Sequence, residues 1–563
     1  MTMDENTSRN FINLCSAKRQ NLCYNNSVFF LSIILCEFSH ISNSGIGVFM
    51  YSMIHTAALE GIHTIPVQVE VDVSAGLPMF EMVGYLSSEV REAKERVRTA
   101  LHNCGISLPA KRITMNLAPA NIKKIGTAFD LPIAVALMCS LGIVETERCK
   151  DIVFVGELSL NGRILPVNGI LPIVSDGVKD KKYRFVVPKQ NQHEANLVKE
   201  ALIYTFDDLS ELIRFLNNEE NADDWKVPKP TSEELNDNKI YHVDFSDVNG
   251  QQLLKRASEV AAAGMHNMLM IGPPGAGKTM ISERIPTILP PLLEEEKLEL
   301  SKIYSICGLL DNKNALIRER PFRNPHHTIS KAGLVGGGFH PNPGEISLAH
   351  QGVLFLDELT EFHRDTIEVL RQPLEEKKIS LARAGGQIVY PANFLLLAAM
   401  NPCKCGYYPD MQKCRCTESE QKRYFGKISQ PLIDRIDICV EASPLSYAEL
   451  RGNGNNESSA EIRARVIACH KRQRVRFANE DFWYNNQIPA SKLETYCFLE
   501  AKEAAYMEHM FEKMELTGRT YHKILRVART IADLDEEEGI RLHHLREAIC
   551  YRSINEKFWG GME

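Results

Sequence analysis

The segment GPPGAGKT has the residue types and the spacing of a loop that binds the phosphates of a nucleotide. It follows the apolar run NMLMI and precedes a helical pattern, which is the context that such a loop requires. Glycines let backbone N–H groups turn toward phosphate oxygens, and the helix N-terminus adds a favourable dipole. The members of the loop are Gly272, Pro273, Pro274, Gly275, Ala276, Gly277, Lys278 and Thr279. We predict that Lys278 contacts the β- and γ-phosphates and that Thr279 ligates Mg²⁺.

Two further apolar runs end in polar residues that would complete this chemistry. The run GVLFL is followed by Asp357 and Glu358, and the run NFLLLAAM is followed by Asn401. Ligands of α/β sheets bind at the carboxyl ends of the strands, so these side chains are predicted beside the phosphates. We expect Asp357 to hold the metal through water and Glu358 to act as general base. Asn401 would orient the attacking water or contact the γ-phosphate; the alternative is a turn residue before Pro402.

A cysteine-rich segment, NPCKCGYYPDMQKCRCTE, begins at Asn401 and contains Cys403, Cys405, Cys414 and Cys416. Four thiolates can close a tetrahedral structural zinc site, although the C-x-C spacing is tighter than the usual one. The alternative is a reduced thiol loop at the surface, and a redox-sensing pair is a third interpretation. We therefore predict Zn²⁺ as a second metal, beside ATP and Mg²⁺.

The overall composition is that of a globular protein with several domains. The chain has 563 residues, of which 44% are hydrophobic and 24% charged, so two to four domains are expected. A net charge of -7 argues against a uniformly basic nucleic-acid coat but leaves room for a local basic patch. Fifteen cysteines without framework spacing favour a reducing cytoplasm over a disulfide scaffold, and we expect no membrane association.

Changes in pattern along the chain suggest five segments. Strand-like and helix-like runs alternate in the second segment, a polar, proline-containing linker follows, and buried-type strands suited to a parallel sheet come next. The predicted bounds are 1–49, 50–216, 217–240, 241–444 and 445–563. Segment 1–49 contains the short apolar run SVFFLSIILC, which has the core length of a signal peptide. We instead expect it to be disordered or to lie upstream of a native start at Met50 or Met53.

The motifs GPPGAGKT, GVLFLDE, AAMNPC and QPLIDRID together resemble the AAA+ ATPases of the magnesium-chelatase type, and most closely the YifB/ComM family of competence-associated ATPases. The resemblance covers nearly the whole chain after about residue 50. It implies a ring, expected to be a homo-hexamer, with ATP bound between subunits. It also implies that Arg435 is the arginine finger that reaches a neighbour's γ-phosphate. Arg519 matches the sensor-2 arginine of a helical lid.

Two insertions are candidates for the surface of a central pore. The first, RPFRNPHHTISKAGLVGGGFHPNPGEISLAHQG, precedes Asp357, and the second, KKISLARAGGQIVYP, is predicted to be a β-hairpin. Lys331 and Arg383 are the candidate contacts with DNA, and a solvated charge is the alternative for each. The chelatase motor has a similar hairpin, so the resemblance implies a ring motor without identifying its substrate.

Residues 50–216 resemble the proteolytic domain of Lon proteases, through GTAFDLPIAVAL and GELSLNGRILPVNGILPIVSDGVKDKKYRFVVPK. Lon cleaves peptides with a Ser–Lys pair, whereas this sequence has Asp130 near the serine position and Leu171 at the lysine position. The domain is therefore expected to be catalytically dead and to serve as a scaffold or DNA platform. The expected fold is α/β: a Lon-protease-like α+β domain of the S5 type, then an AAA+ P-loop α/β domain with a helical lid.

Three functions fit these observations. The first is an ATP-driven ring that acts on single-stranded or branched DNA, as a helicase or branch-migration motor in recombination of incoming DNA. The second is a chelatase-type motor that remodels a protein partner, against which the Lon-like domain and the cysteine-rich segment argue. The third is an ATP-dependent protease, which the missing Ser–Lys pair disfavours.

Overall fold

The computed structural model describes most of the chain from residue 50 to residue 559. The described ranges are 50–182, 184–218, 225–229, 241–311, 315–338, 342–383, 386–408, 410–444, 447, 449 and 456–559. The predictions for residues 1–49 lie outside the described residues, as does most of the predicted linker 217–240. The side chain of Arg383 also lies outside them.

The first domain is built on a seven-stranded mixed sheet in the order β3-β4-β2-β1-β5-β8-β9. The long pair β1–β2 is antiparallel from Met50↔Val73 to Glu60↔His63, and its alternating valines place one side in the core. A short antiparallel hairpin, β6–β7, turns at Asn161-Gly162. The strands are β1 Met50–Glu60, β2 His63–Ser74, β3 Met79–Val83, β4 Arg112–Ala118, β5 Ile152–Phe154, β6 Glu157–Leu158, β7 Ile164–Leu165, β8 Arg184–Pro188 and β9 Leu202–Phe206.

Helices cover both faces of this sheet. Helix α1 begins after Ser87, whose side chain accepts a hydrogen bond from the Val90 N–H, and its apolar stripe faces the core. Helix α2 is buried along its whole length because apolar residues surround it on all sides. The helices are α1 Ser88–Asn103, α2 Asp130–Ser140, α3 Thr146–Cys149, α4 Ile170–Lys179, α5 Gln192–Ala195 and α6 Leu209–Leu216.

The second domain contains a five-stranded parallel sheet in the order β11-β14-β17-β10-β18. Its central strands are completely buried because helices pack on both faces, as the continuous apolar runs predict. The predicted hairpin is confirmed as the antiparallel pair β15–β16, which leaves the sheet before β17. The strands are β10 Met268–Ile271, β11 Phe322–Arg323, β12 Gly336–Gly337, β13 Asn342–Pro343, β14 Val353–Leu356, β15 Lys378–Arg383, β16 Gly386–Pro391, β17 Leu395–Met400 and β18 Ile438–Glu441.

The helices around this sheet are mostly short, except for those that flank the phosphate-binding loop and the helix that contacts the first domain. They are α7 Gln252–Gly264, α8 Lys278–Ile288, α9 Glu294–Ile306, α10 Lys331–Val335, α11 Glu345–Leu348, α12 Arg364–Glu368, α13 Arg371–Glu376, α14 Glu418–Phe425 and α15 Gln430–Ile433. Helix α9 contacts the first domain, since the Gly169 N–H donates to the Ser305 carbonyl over 3.1 Å. An ion pair of 3.5 Å between Lys302 and Asp176 adds to this contact.

The C-terminal region is helical, as predicted. Its apolar side chains join one core with α7, α8 and one face of the parallel sheet. Phe558 and Trp559, at the end of the last helix, pack into the core on the opposite face. The helices are α16 Ser459–Arg476, α17 Leu493–Tyr496, α18 Ala501–Lys513, α19 Gly518–Leu534 and α20 Leu542–Trp559. Within the described part of the chain, no helix has both the length and the apolar character that crossing a membrane would need.

Candidate nucleotide and metal sites

The phosphate-binding loop joins β10 to α8 at the carboxyl edge of the parallel sheet. Gly275 and Gly277 have φ values of +77° and +81°, which side chains other than glycine adopt at a cost. Gly272 is required for a different reason, because a Cβ there would lie 2.5 Å from the Ala442 carbonyl oxygen. Together these glycines turn the backbone over the start of α8, where its unpaired N–H groups and dipole favour an anion.

Lys278 lies under this loop and is almost completely buried. Its ammonium donates to the Gly272 and Pro273 carbonyls, over 2.6 and 2.9 Å, and lies 3.4 Å from the Asn401 Oδ1. Burial lowers the pKa of Lys278, and the carboxylates of Asp357 and Glu358 oppose that shift. The side-chain nitrogen of Lys278 therefore lies at the loop, where the phosphates of a nucleotide could accept its hydrogen bonds in place of these carbonyls.

The two predicted magnesium ligands meet directly. The Thr279 hydroxyl, in the first turn of α8, donates to Asp357 Oδ2 over 2.8 Å, and Asp357 directly follows β14. A hydroxyl and a carboxylate at the end of a phosphate loop are ligands that Mg²⁺ takes together with phosphate oxygens and water. These residues therefore fit a magnesium ion bound with a nucleotide.

Glu358 is placed for contact with solvent and with a histidine that sequence reasoning missed. Its φ is +51°, a left-handed conformation that is costly outside glycine and that is concentrated at functional sites. Its side chain is 58% exposed, and its Oε2 lies 3.4 Å from His327 Nδ1. His327 follows β11, the neighbour of β14 in the sheet, so the two strand ends bring the pair together. The only sequence signal was the adjacent pair His326-His327 in an irregular segment.

Asn401 directly follows β17, which lies between the strands that lead to Lys278 and Asp357. Its amide oxygen faces the Lys278 ammonium, and the preceding Met400 carbonyl accepts from the Gly272 N–H over 3.2 Å. The structure thus brings together Lys278, Thr279, Asp357, Glu358 and Asn401 at one edge of the sheet, which we call the nucleotide edge.

Arg435 lies at the other end of the strands. Its carbonyl accepts from Asn267 Nδ2 over 3.0 Å, and Asn267 immediately precedes β10. The four residues of β10 lie between Asn267 and Gly272, and the five residue steps span about 16 Å. The Arg435 guanidinium pairs with Glu375 and donates to the Pro431 carbonyl. Arg435 is therefore remote from the nucleotide edge of its own subunit.

Arg519, at the start of α19, lies beside Arg435 rather than beside the phosphate loop. Its side chain is 75% exposed, and Nη1 is 3.9 Å from Oδ2 of Asp434, the residue before Arg435. Nearby, Lys523 donates to the Ile436 carbonyl over 2.9 Å and pairs with Asp437, which fixes α19 against this end of the sheet. We call the end that carries Arg435 and Arg519 the arginine edge.

The four predicted zinc ligands converge. The sulfurs of Cys403, Cys405, Cys414 and Cys416 all lie within 4.8 Å of one another. Three of the separations are 3.2, 3.6 and 3.8 Å. Zinc–sulfur bonds of about 2.3 Å in a tetrahedron require sulfurs about 3.8 Å apart, so the cluster has the right size. These residues therefore fit a structural metal ion with four thiolate ligands.

The predicted DNA contacts are described only in part. Lys331 begins α10 and is exposed, and it lines a cavity of about 510 Å³ together with Ser380 and Ala382 of β15. The two insertions therefore lie side by side. Arg383 ends β15, but its side chain lies outside the described residues.

The first domain does not bring a nucleophile and a base together at the positions suggested by Lon proteases. Asp130 is fully buried and accepts two hydrogen bonds from Arg96, over 2.7 and 2.8 Å. Leu171 is fully buried, and its N–H donates to Glu194 over 2.9 Å. These contacts make both positions part of the packing of the domain.

Three family models match consecutive parts of the chain. The model described as subunit ChlI of Mg-chelatase matches residues 69–191, the one described as magnesium chelatase, subunit ChlI, matches 244–450, and that for the C-terminal part of subunit ChlI matches 456–552. The first of these matches lies in the domain that resembles Lon, so the presence of that domain does not by itself exclude a chelatase-type function.

Several individual proteins are similar over most of this length. The chain is 40% identical over 509 residues to the uncharacterized protein YifB of Escherichia coli (strain K12), covering 90% of this chain and 97% of that protein. It is 39% identical over 508 residues to the competence protein ComM of Haemophilus influenzae, covering 89% and 97%. A shorter likeness, 31% identity over 159 residues, relates 26% of the chain to 28% of Lon protease 2 of Bacillus subtilis.

Proposed function

The chain belongs to the YifB/ComM family of magnesium-chelatase-like AAA+ ATPases, and from this membership we propose that it is an ATP-driven ring motor that acts on DNA. The observation that carries the proposal is the separation of the nucleotide edge from the arginine edge. An arginine that stabilises the transition state must reach the γ-phosphate, which Arg435 cannot do within its own subunit. ATP hydrolysis therefore requires a neighbouring subunit, and a closed ring, in our proposal a homo-hexamer, gives every subunit such a neighbour.

The proposed hydrolysis assigns one task to each group. Lys278 and the loop N–H groups would hold the phosphates, and Thr279 and Asp357 would hold Mg²⁺, which when bound would supply charge neutralisation. Glu358 accepts a proton from the attacking water, and Asn401 positions that water or the γ-phosphate. Arg435 of a neighbour, with Arg519 on the same edge, stabilises the charge on the transferred group.

Two observations support DNA as the substrate. One relative carries the name competence protein, and the two insertions of this chain lie together, with an exposed Lys331. Lysine neutralises phosphate without reading sequence, which suits a motor that moves along single-stranded or branched DNA. We therefore propose branch migration or unwinding during recombination of incoming DNA.

ATP turnover by the full chain should be measured without DNA, with single-stranded DNA and with a three-stranded branched substrate. Strand exchange should be followed in the same samples, and Lys278→Ala serves as the control. We expect branched DNA to stimulate hydrolysis and its strands to exchange. A hydrolysis rate that none of the DNA substrates changes would contradict the DNA proposal. It would favour a chelatase-type motor with a protein partner, which the three ChlI models also suggest.

We further propose that Cys403, Cys405, Cys414 and Cys416 hold a structural Zn²⁺ ion. The support is the convergence of the sulfurs and the donation of the Tyr408 N–H to Cys403 Sγ over 3.4 Å, a contact that stabilises a thiolate. A closed four-thiolate site would supply stability and no catalytic step.

A further inference from the structure

The cysteine-rich segment is built against the phosphate-binding loop. Its first residues leave β17 beside that loop, through the Met400 carbonyl on the Gly272 N–H and the Asn401 amide near Lys278. A third contact follows at Gly406, where a Cβ would lie 2.8 Å from Pro274 Cδ and 3.3 Å from Pro274 Cγ. Residues 400–406 thus form one wall of the loop.

Two of the metal ligands lie inside this wall. Cys403 and Cys405 fall between Asn401 and Gly406, and Cys403 is fully buried. The other two ligands, Cys414 and Cys416, return to the same point from the far end of the segment and lead into α14. A metal ion shared by both ends would therefore fix the backbone at Gly406 relative to the body of the domain.

Apart from the cysteines, the described contacts of the segment include Tyr408, whose ring packs edge-on against Phe558 with centroids 6.0 Å apart. In the described residues between β17 and α14 the backbone forms turns, with bonds such as Gly406 N–H to the Cys403 carbonyl at 3.0 Å. A short loop without its own core depends on such a cross-link for a single conformation. Gly406 itself has a φ of +83°, so its approach to Pro274 depends on a backbone conformation that the neighbouring ligands would fix.

We propose that the metal at the four-cysteine site sets the shape of the phosphate-binding loop, so that the affinity for ATP depends on the metal. The proposal rests on the zinc site proposed above and extends it to regulation of the nucleotide site. The ion does not touch the nucleotide; it holds Gly406 against Pro274 and Asn401 beside Lys278. Loss of the ion would free the wall and leave the loop to sample conformations that bind phosphate poorly.

The test measures two quantities on the full chain: zinc per chain by elemental analysis, and the Kd of a fluorescent ATP analogue in excess Mg²⁺. The wild type is compared before and after removal of zinc by a chelator, which is then dialysed away. We expect about one equivalent of zinc at the start and a rise in Kd of about tenfold after its removal, with recovery when Zn²⁺ returns. An unchanged Kd in zinc-free protein would overturn the coupling while leaving the zinc site in place.

Less than about a tenth of an equivalent of zinc, with none taken up on addition, would instead overturn the zinc site and the coupling together. Two variants then examine the contact. Gly406→Ala places a methyl group against Pro274, and Gly105→Ala is the matched control, because Gly105 has a φ of +82° and no atom within 4 Å of its Cβ position.

Gly406→Ala should weaken nucleotide binding about tenfold with zinc still bound, and Gly105→Ala should leave the Kd unchanged. If Gly406→Ala retains zinc and the wild-type Kd, the contact with Pro274 does not carry the coupling. If Gly406→Ala loses its zinc, the chelated wild type still decides the proposal, since its loop sequence is intact.

Discussion

The two edges of the parallel sheet differ in how their charged groups are satisfied. At the nucleotide edge, the described contacts of Lys278 are to carbonyls of its own loop and to one amide, and Glu358 is mostly exposed. At the arginine edge, Lys523 and Asp437 are buried in an ion pair, and Arg435 is paired with Glu375. One edge is therefore arranged to receive a ligand, whereas the other is a fixed support that presents two arginines.

In the proposed mechanism, each of the two edges supplies a different part of the ATPase chemistry. The groups proposed to bind and activate ATP share an edge because their strands are parallel neighbours. The arginines that would stabilise its transition state share the opposite edge, about 16 Å away along β10. Changes on one edge should therefore be repaired by an intact copy of that edge on another subunit.

The largest effect is expected from Lys278→Ala, which removes the one buried cation of the nucleotide edge. We expect the affinity for ATP to fall about a hundredfold, since two hydrogen bonds to charged phosphates contribute about 3 kcal/mol. Hydrolysis should be lost as well. Fluorescent-nucleotide titration measures this, and Lys302→Ala, another buried lysine that pairs with Asp176, should leave the affinity unchanged.

Arg435→Ala tests the arginine edge separately, because it leaves the nucleotide edge unchanged. ATP binding should be unchanged, while turnover should fall about a thousandfold, the magnitude associated with an arginine finger. Steady-state hydrolysis at saturating ATP measures the loss. Normal turnover would show that the finger lies elsewhere.

Mixing variants tests whether the edges belong to different subunits. A mixture of Arg435→Ala and Lys278→Ala subunits contains junctions in which an intact Lys278 faces an intact Arg435. Hydrolysis should therefore return in the mixture although neither variant is active alone. A mixture that stays inactive, despite mixed rings seen by native mass spectrometry, would mean that both edges act within one subunit.

Glu358→Gln keeps the size of the side chain but removes the proposed base. We expect nucleotide binding to persist and the turnover number to fall by about a hundredfold or more. Single-turnover hydrolysis separates this loss from product release. An unchanged turnover number would remove Glu358 from the mechanism.

The smallest predicted effect is on the pH dependence of stability, through a buried histidine that supports the arginine edge. His470 of α16 is buried against the Ala262 carbonyl, 3.0 Å from Nε2, near the end of α7 that leads into β10. Burial lowers its pKa to about 4, so the folded chain keeps it neutral while the unfolded chain takes up a proton below about pH 6.5. Stability should therefore fall between pH 6.5 and about 4, with a slope of at most about 1.4 kcal/mol per pH unit.

Thermal unfolding at several pH values measures this slope, and His470→Gln should flatten it. The exposed His509 offers a matched control, since His509→Gln should leave the slope unchanged. A slope that persists in His470→Gln would assign the pH dependence to other groups.

Local patterns predicted much of the fold. The three buried strands, the phosphate loop, the hairpin β15–β16 and the helical C-terminal region all follow from apolar periodicity and turn residues within short windows. The convergence of the four cysteines was also expected, because the chain between them is short. The predictions for Lys331 and Arg383 remain predictions.

Contacts between distant segments were not predictable in this way. His327 meets Glu358 because β11 and β14 are neighbours, and Gly406 meets Pro274 because β17 lies beside β10. Arg519 matches the sensor-2 arginine of a helical lid by its motif, and only the structure shows that it lies 3.9 Å from Asp434. The spacing of these residues along the sequence does not predict these contacts.

Local sequence was enough to predict which functional residue types follow which strands, because backbone propensity and side-chain type act over a few residues. Only the tertiary structure decided which ends face each other, since strand order depends on how the whole chain crosses over the sheet. The parallel strands place the lysine, the carboxylates and the amide on one edge and Arg435 on the other, and the packing of α19 brings Arg519 there. The separation of the nucleotide edge from the arginine edge is therefore a property of the folded sheet.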